Sequence, residues 1–178
     1  MLILLDNQKY NTIPPTTLNF YMIGKILGKG AFGKVNLCIH KLSSKFVALK
    51  SLKKNALKAV ELNTKVKNEI SILKELKHPN VIKLYETFET DTRTILVMEL
   101  CVGGDLLSYL KKRKKIKESV AKVTIFQILS GLNYLHEKGI AHRDIKLDNI
   151  LLNSEGQIKV FFNRFVILEL VRDKIQIF

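Results

Sequence analysis

Gly28-Lys29-Gly30-Ala31-Phe32-Gly33 narrows what this chain can become more than any other stretch, because of what flanks it. The spacing G-x-G-x-x-G serves two unrelated folds. In a dinucleotide-binding βαβ unit the glycines lead from a strand into a helix whose N-terminus meets pyrophosphate. Here Phe20 to Leu27 precedes them and Lys34-Val35-Asn36-Leu37-Cys38-Ile39 follows, and both runs favour β structure. The glycines therefore sit in a turn between two strands, as a flap that can lie over a nucleotide.

The rest of the chain is patterned to match. Phe46 to Leu52 continues an antiparallel meander, and then the apolar period lengthens: Val66, Ile70, Leu73 and Leu76 share one face of a helix that His78-Pro79-Asn80 ends. Val81 to Phe88 and Thr94 to Leu100 read as two further strands around the polar Glu89-Thr90-Asp91-Thr92. Val102-Gly103-Gly104-Asp105 is a connector, with Asp105 the N-cap of a short helix from Leu106 to Lys112. A longer helix from about Ser119 to His136 carries Ile125, Ile128, Leu132 and Leu135, and Gly139 caps it. Ile150 to Leu152 and Ile158 to Phe161 make a small hairpin.

Composition removes other classes. With 178 residues, 47% of them apolar, 3 Pro and 9 Gly, the chain is neither disordered nor collagen-like, and its length suits one domain or two small lobes. No uncharged apolar run reaches the ~20 residues of a membrane span, and Met1 to Leu5 is too short for a signal-peptide core. Cys38 and Cys101 cannot build a disulfide framework or a four-ligand zinc site, so the expected setting is intracellular, cytoplasmic or nuclear. Thirty basic against sixteen acidic side chains give +14, which raises nucleic acid and anionic surfaces as partners. Yet only Lys111 to Lys117 is a basic block, six of seven residues, and no aromatics interleave it. A solvated helix end is its plain reading; specific nucleic-acid binding is not expected.

Three further groups carry chemistry. Lys50, in Val47-Ala48-Leu49-Lys50, stands on a rigid strand beneath the flap, where an ammonium can pair with phosphate oxygens. Glu69, between the helix positions Val66, Ile70 and Leu73, is the acid expected to hold it. His142-Arg143-Asp144-Ile145-Lys146-Leu147-Asp148-Asn149 then puts a hydroxyl acceptor (Asp144), a cation for the γ-phosphate (Lys146) and a metal-ligating amide (Asn149) in one loop.

This ordered series, from about Tyr21 to Val160, resembles the eukaryotic protein kinase family, and Lys146 two residues after Asp144 resembles its serine/threonine branch. The wording from Met98 to Leu106 is most similar to the calmodulin-dependent and AMP-activated group. The resemblance implies an α+β, bilobal fold: a five-stranded antiparallel small lobe with one helix, and an incomplete, mainly helical large lobe. It divides the chain into a poorly ordered leader (1–20), the small lobe (21–100), the hinge and start of the large lobe (101–160) and a divergent apolar tail (161–178). It also implies that ATP and Mg²⁺ bind and that the γ-phosphate passes to protein hydroxyls. Gly28, Gly30 and Gly33 would cover the phosphates. Leu27, Val35, Ala48 and Leu151 would sandwich adenine with Met98 as gatekeeper, backbone groups of Glu99 and Cys101 would read its edge, and Asp105 would reach the ribose. His142 resembles the family's core histidine, whereas His40, His78 and His136 read as turn or packing residues.

After Val160 the family pattern calls for a small residue and then Asp-Phe-Gly, but the chain has Phe161 and then Phe162-Asn163-Arg164. Phe162 stands where a carboxylate should bind Mg²⁺, and a phenyl ring offers a hard cation no oxygen. Asn163 replaces the apolar residue expected to pack on His142, so that contact is expected to be lost. The chain ends at Phe178 without the activation segment or the later helices of the large lobe. Residues 161–178 hold eleven apolar residues, and two origins stay open: a segment covering the lobe, or translated non-coding or frameshifted sequence. Three functions compete: a truncated serine/threonine kinase, poor or inactive in isolation; a nucleotide-binding pseudokinase; and a basic module for nucleic acid or anionic surfaces.

Overall fold

A computed structural model describes residues 17–30, 33–54 and 70–162. The expectations for the start of the first helix, for Glu69, for the tip of the glycine turn at Ala31 and Phe32 and for nearly all of the apolar tail lie outside these residues. Leu18–Phe20 at the end of the expected leader form a 3-10 turn, and the Lys41 amide donates to the Phe20 carbonyl oxygen at 2.8 Å.

Five antiparallel strands form the first sheet: β1 (Tyr21–Gly30), β2 (Gly33–His40), β3 (Lys45–Lys53), β4 (Leu84–Glu89) and β5 (Arg93–Glu99), in the order β1-β2-β3-β5-β4. β3 is central, and its alternating side chains divide the interior between the two faces of the sheet. Val47 and Leu49 join Tyr21, Cys38, Ile95 and Val97 in a small core on one face. Leu52, with Leu96 and Met98 of β5, belongs to the larger core on the other face, which continues into the second lobe. Gly33 faces Leu52 across β2 and β3, and a Cβ there would collide with the Ser51 carbonyl oxygen, so the last glycine of the turn is required by backbone approach.

Residues 70–75 are helical (α1), and Ile70, Leu73 and Leu76 are buried as their spacing predicts. The run from Val81 to Phe88 is not one strand. Val81 bridges Val160, the Ile82 amide donates to the Val160 carbonyl oxygen at 2.9 Å, and the Val160 amide donates to that of Asn80 at 2.8 Å. Backbone groups spent on the second lobe cannot also pair with β5, so β4 starts only at Leu84.

The second lobe begins with β6 (Gly104–Asp105), α2 (Leu106–Arg113) and α3 (Glu118–Glu137), followed by β7 (Ile150–Leu152) and β8 (Ile158–Val160). The last two strands are the expected hairpin, and β6 adds to them through Gly104 opposite Leu152 and Asp105 opposite Leu151. Asp105 caps α2 as predicted: its Oδ1 accepts from the Ser108 amide at 2.7 Å. Lys111, Lys112 and Arg113 occupy the last turn of α2, exposed, where cations suit the helix dipole. Gly139, at φ +71°, closes α3.

One member of the predicted apolar face of α3 is misplaced. Gln127 meets β8, its Oε1 accepting from the Ile158 amide at 2.8 Å. Ile125 lies two residues earlier, ~200° around the helix, and is 55% exposed, while Ile128, Leu132 and Leu135 pack inward. Val123, Phe126 and Leu129 are also exposed. No helix among the described residues is long and apolar enough to cross a membrane.

Candidate functional site

A cleft of about 260 Å³ opens between the two lobes. Its roof is Leu27, Gly28, Val35 and Ala48; Met98, Glu99 and Cys101 edge it; Asp105 and Leu151 close the far side. Nine of the residues expected around a nucleotide thus meet in one cavity, brought there by strand alternation and register. Ala48 faces Met98 across β3 and β5, and Val35 faces Lys50 across β2 and β3. Gly30 and Gly33 are the ends of β1 and β2 and pair with one another at the base of the glycine turn, outside the cavity wall. Ile82, Leu100, Gly104, Asp148 and Phe161 also line the cleft. Of these, Phe161 had a sequence signal, as the bulky residue where the family pattern calls for a small one.

Along the hinge, the Glu99 amide donates to the Lys83 carbonyl oxygen at 2.9 Å. The Glu99 carboxylate pairs with Lys159 of β8 at 2.8 Å, both side chains being largely buried. Burial, reinforced by the Glu99 charge, pushes the Cys101 thiol up to about 12, so this cysteine stays protonated at neutral pH and is a poor nucleophile.

The loop below the cleft is preorganised. Arg143 has φ +58°, a left-handed conformation that costs a non-glycine residue energy and turns the chain sharply between His142 and Asp144. Asn149 is fully buried, at the end of a 3-10 turn (Leu147–Asn149), and its Nδ2 donates to both the backbone oxygen and Oδ2 of Asp144, each at 2.8 Å. The Lys146 ammonium lies 3.5 Å from the other carboxylate oxygen. Asp144, Lys146 and Asn149 are therefore one unit, joined by two hydrogen bonds and an ion pair. Asn149 Oδ1, in contrast, is buried without a hydrogen-bond partner.

His142 ties this loop to the end of β8. Its Nδ1 accepts from the Asp144 amide at 3.3 Å, which leaves Nε2 to carry the proton and donate to the Phe161 carbonyl oxygen at 3.1 Å. Burial holds its pKa below the usual histidine value, in keeping with a neutral ring. Phe162 stacks on that ring, with centroids 4.5 Å apart, and is buried in the same core as Leu73. The apolar contact expected to be lost with Asn163 is thus supplied by Phe162, one residue earlier in sequence.

Lys50 is also buried, and burial pushes its pKa down to about 8. Its Nζ lies 5.1 Å from the centroid of the Phe161 ring. The expected partner Glu69 is outside the described residues.

The donor set does not make a magnesium site among the described residues. Asn149 Oδ1 is a hard oxygen buried without a hydrogen-bond partner, but Mg²⁺ needs several such ligands around it. Phe162, where the family pattern calls for an aspartate, is a buried ring.

The family model for the protein kinase domain matches residues 21–161. Among similar proteins, an Aurora kinase from Schizosaccharomyces pombe is 41% identical over 143 residues, covering 80% of this chain and 40% of its own. A probable myosin light chain kinase from Dictyostelium discoideum is 42% identical over 139 residues, 78% of this chain and 40% of its own. A carbon catabolite-derepressing protein kinase from Secale cereale is 40% identical over 146 residues, 80% of this chain and 29% of its own. The chain thus spans well under half the length of these relatives.

Proposed function

The chain belongs to the protein kinase domain family, on its serine/threonine side, and from that premise we propose that its cleft binds an adenine nucleotide with little help from magnesium. Members of the family use ATP and Mg²⁺. In this reading Leu27, Val35, Ala48 and Leu151 enclose the adenine, Met98 bounds its depth, and backbone groups of Glu99 and Cys101 meet its edge. The glycine turn (Gly28, Gly30, Gly33) covers the phosphates, Glu69 steadies Lys50, and Asp105 is placed for the ribose.

Phosphoryl transfer to a serine or threonine hydroxyl of a protein substrate is the family's chemistry, and half of its apparatus is present. Asp144 is held by Asn149 in an orientation suited to accepting a hydroxyl proton, and Lys146 beside it is suited to the transferred phosphate. Such transfer depends on charge neutralisation by metal as much as on positioning. The observation that carries the proposal is that Phe162, where the family pattern calls for a metal-binding aspartate, is a buried ring stacked on His142. Hydrocarbon there offers a hard cation no oxygen. The pseudokinase reading is therefore favoured over an active transferase for residues 21–161.

Calorimetric titration of ATP with and without Mg²⁺ tests this. The expected result is measurable binding whose affinity changes less than about threefold on adding the metal. A gain of tenfold or more with Mg²⁺ would show that other residues complete the metal site.

A further inference from the structure

The cleft wall beside Lys50 is an aromatic ring. Phe161, immediately after β8, is partly buried and shares the cavity lining with Ala48, Met98 and Leu151, whereas Lys50 does not reach that lining. The Lys50 ammonium instead lies over the Phe161 ring face at 5.1 Å. A ring's quadrupole holds a cation there, and more strongly where water is excluded, as it is around this buried lysine. An arriving phosphate must compete with that ring for the same ammonium. The cavity of about 260 Å³ is also below the ~300–1,000 Å³ usual for small-molecule sites.

We propose that Phe161 is a specificity-determining residue: it screens Lys50 from the cleft, so that the site takes the adenosine portion of a nucleotide and gains little from the phosphates. The proposal rests on the adenine-nucleotide reading above and states which part of that ligand the site recognises. The side chain sets the preference in two ways. Its bulk occupies the cleft floor between adenine and Lys50, and its π face competes with a phosphate for the ammonium. Burial reinforces the second effect, since a Lys50 with a pKa near 8 is partly neutral in mildly alkaline solution and then offers a phosphate less charge.

The test measures dissociation constants of adenosine, ADP and ATP without metal, for the full chain and for Phe161→Ala and Phe161→Leu. The unaltered protein is expected to bind ATP within about threefold of adenosine. Phe161→Ala should raise the ATP-to-adenosine affinity ratio by about tenfold, the scale of a desolvated cation–ring contact; the ratio is the readout because loss of a cleft-lining ring acts on both ligands alike. Phe161→Leu keeps most of the apolar volume and removes the ring face, so it should give an intermediate gain, and it carries the test if the alanine variant does not fold. Adding Lys50→Met to either variant should abolish the gain. An unaltered protein that already prefers ATP a hundredfold, or variants whose ATP-to-adenosine ratio does not move, would overturn the assignment to Phe161 and leave the nucleotide site intact. Failure of every chain to bind either ligand would overturn the nucleotide reading itself, and this proposal with it.

Discussion

The loop from His142 to Asn149 and the strand end at Phe161 and Phe162 face one another across a few ångströms, and they differ in what they keep. On the loop, polar groups are bonded to each other: Asn149 grips Asp144 twice, and Lys146 stands beside it. At the strand end the backbone is equally well held, with the Phe161 amide donating to the Asn149 carbonyl oxygen at 2.9 Å and its own carbonyl oxygen accepting from His142. Its side chains, though, are two phenyl rings. Hydrocarbon can satisfy packing and backbone hydrogen bonding without supplying a single ligand oxygen. The comparison shows that a kinase-type scaffold and its metal site are separable demands on the same residues.

Phe162→Asp strikes this contrast hardest. It removes a ring that is 7% exposed and sets a carboxylate against the His142 stack. Losing such a ring costs ~3–5 kcal/mol, and a desolvated carboxylate adds to it, so urea denaturation at pH 8 should show a loss of about 4 kcal/mol or more. A buried carboxyl has its folded pKa raised above the unfolded ~3.9, so the charge penalty grows as pH rises through that window and fades below it. The variant should therefore lose less stability at pH 4 than at pH 8. A change under 1 kcal/mol at both would mean that the ring is not a structural element and would break the comparison.

Asn149→Ala probes the other side and should cost less, about 2 kcal/mol. The side chain is fully buried, and its removal takes one donor from both the Asp144 backbone oxygen and the Asp144 carboxylate. The same denaturation experiment reads it, and hydrogen exchange of the Asp144 amide should quicken with it. Equal stability would show that the Asn149 hydrogen bonds do not hold the loop.

Much of this arrangement was legible in the sequence, for reasons that differ by region. The helical spacing of Ile70, Leu73 and Leu76 is a burial pattern, and the structure buries these residues as read. The order of glycine turn, Lys50 and the Asp144 loop placed the cleft because strand register then brings Val35, Ala48 and Met98 to one wall. What the sequence could not show was direction at element ends. Asn163 was expected to forfeit the contact with His142, yet Phe162 turns its ring into that core position. Val81 and Ile82 have strand composition, yet their backbones serve β8 rather than β5, a choice that depends on a strand nearly eighty residues away. Ile125 fits the helical period at its edge, and only the position of β8 decides that it is left in solvent.

The smallest effect separates the two tasks assigned to Asp105, which lies in the cleft wall and also caps α2. Its Oδ1 accepts from the Ser108 amide at 2.7 Å and its Oδ2 from the Ser108 hydroxyl at 2.8 Å. Burial opposes the charge, but the two Ser108 donors, with Lys111 nearby, outweigh it and hold the carboxyl below the ordinary aspartate range. A depressed carboxyl pKa stabilises the fold above the unfolded value of ~3.9, and that contribution is lost as pH falls through the folded pKa. Asn caps helices about as well as Asp, so Asp105→Asn should cost no more than about 0.5 kcal/mol at pH 7, mainly the charge at the helix N-terminus. The gap between the two proteins in thermal denaturation should close in acid. Ser108→Ala takes away one donor to the same carboxylate and leaves Asp105 in the cleft wall. If Asp105 also meets the ribose, Asp105→Asn weakens adenosine binding while Ser108→Ala does not. If both variants bind adenosine as the unaltered chain does, Asp105 is a helix cap alone, and the polar side of the cleft is confined to the hinge backbone and the Asp144 loop.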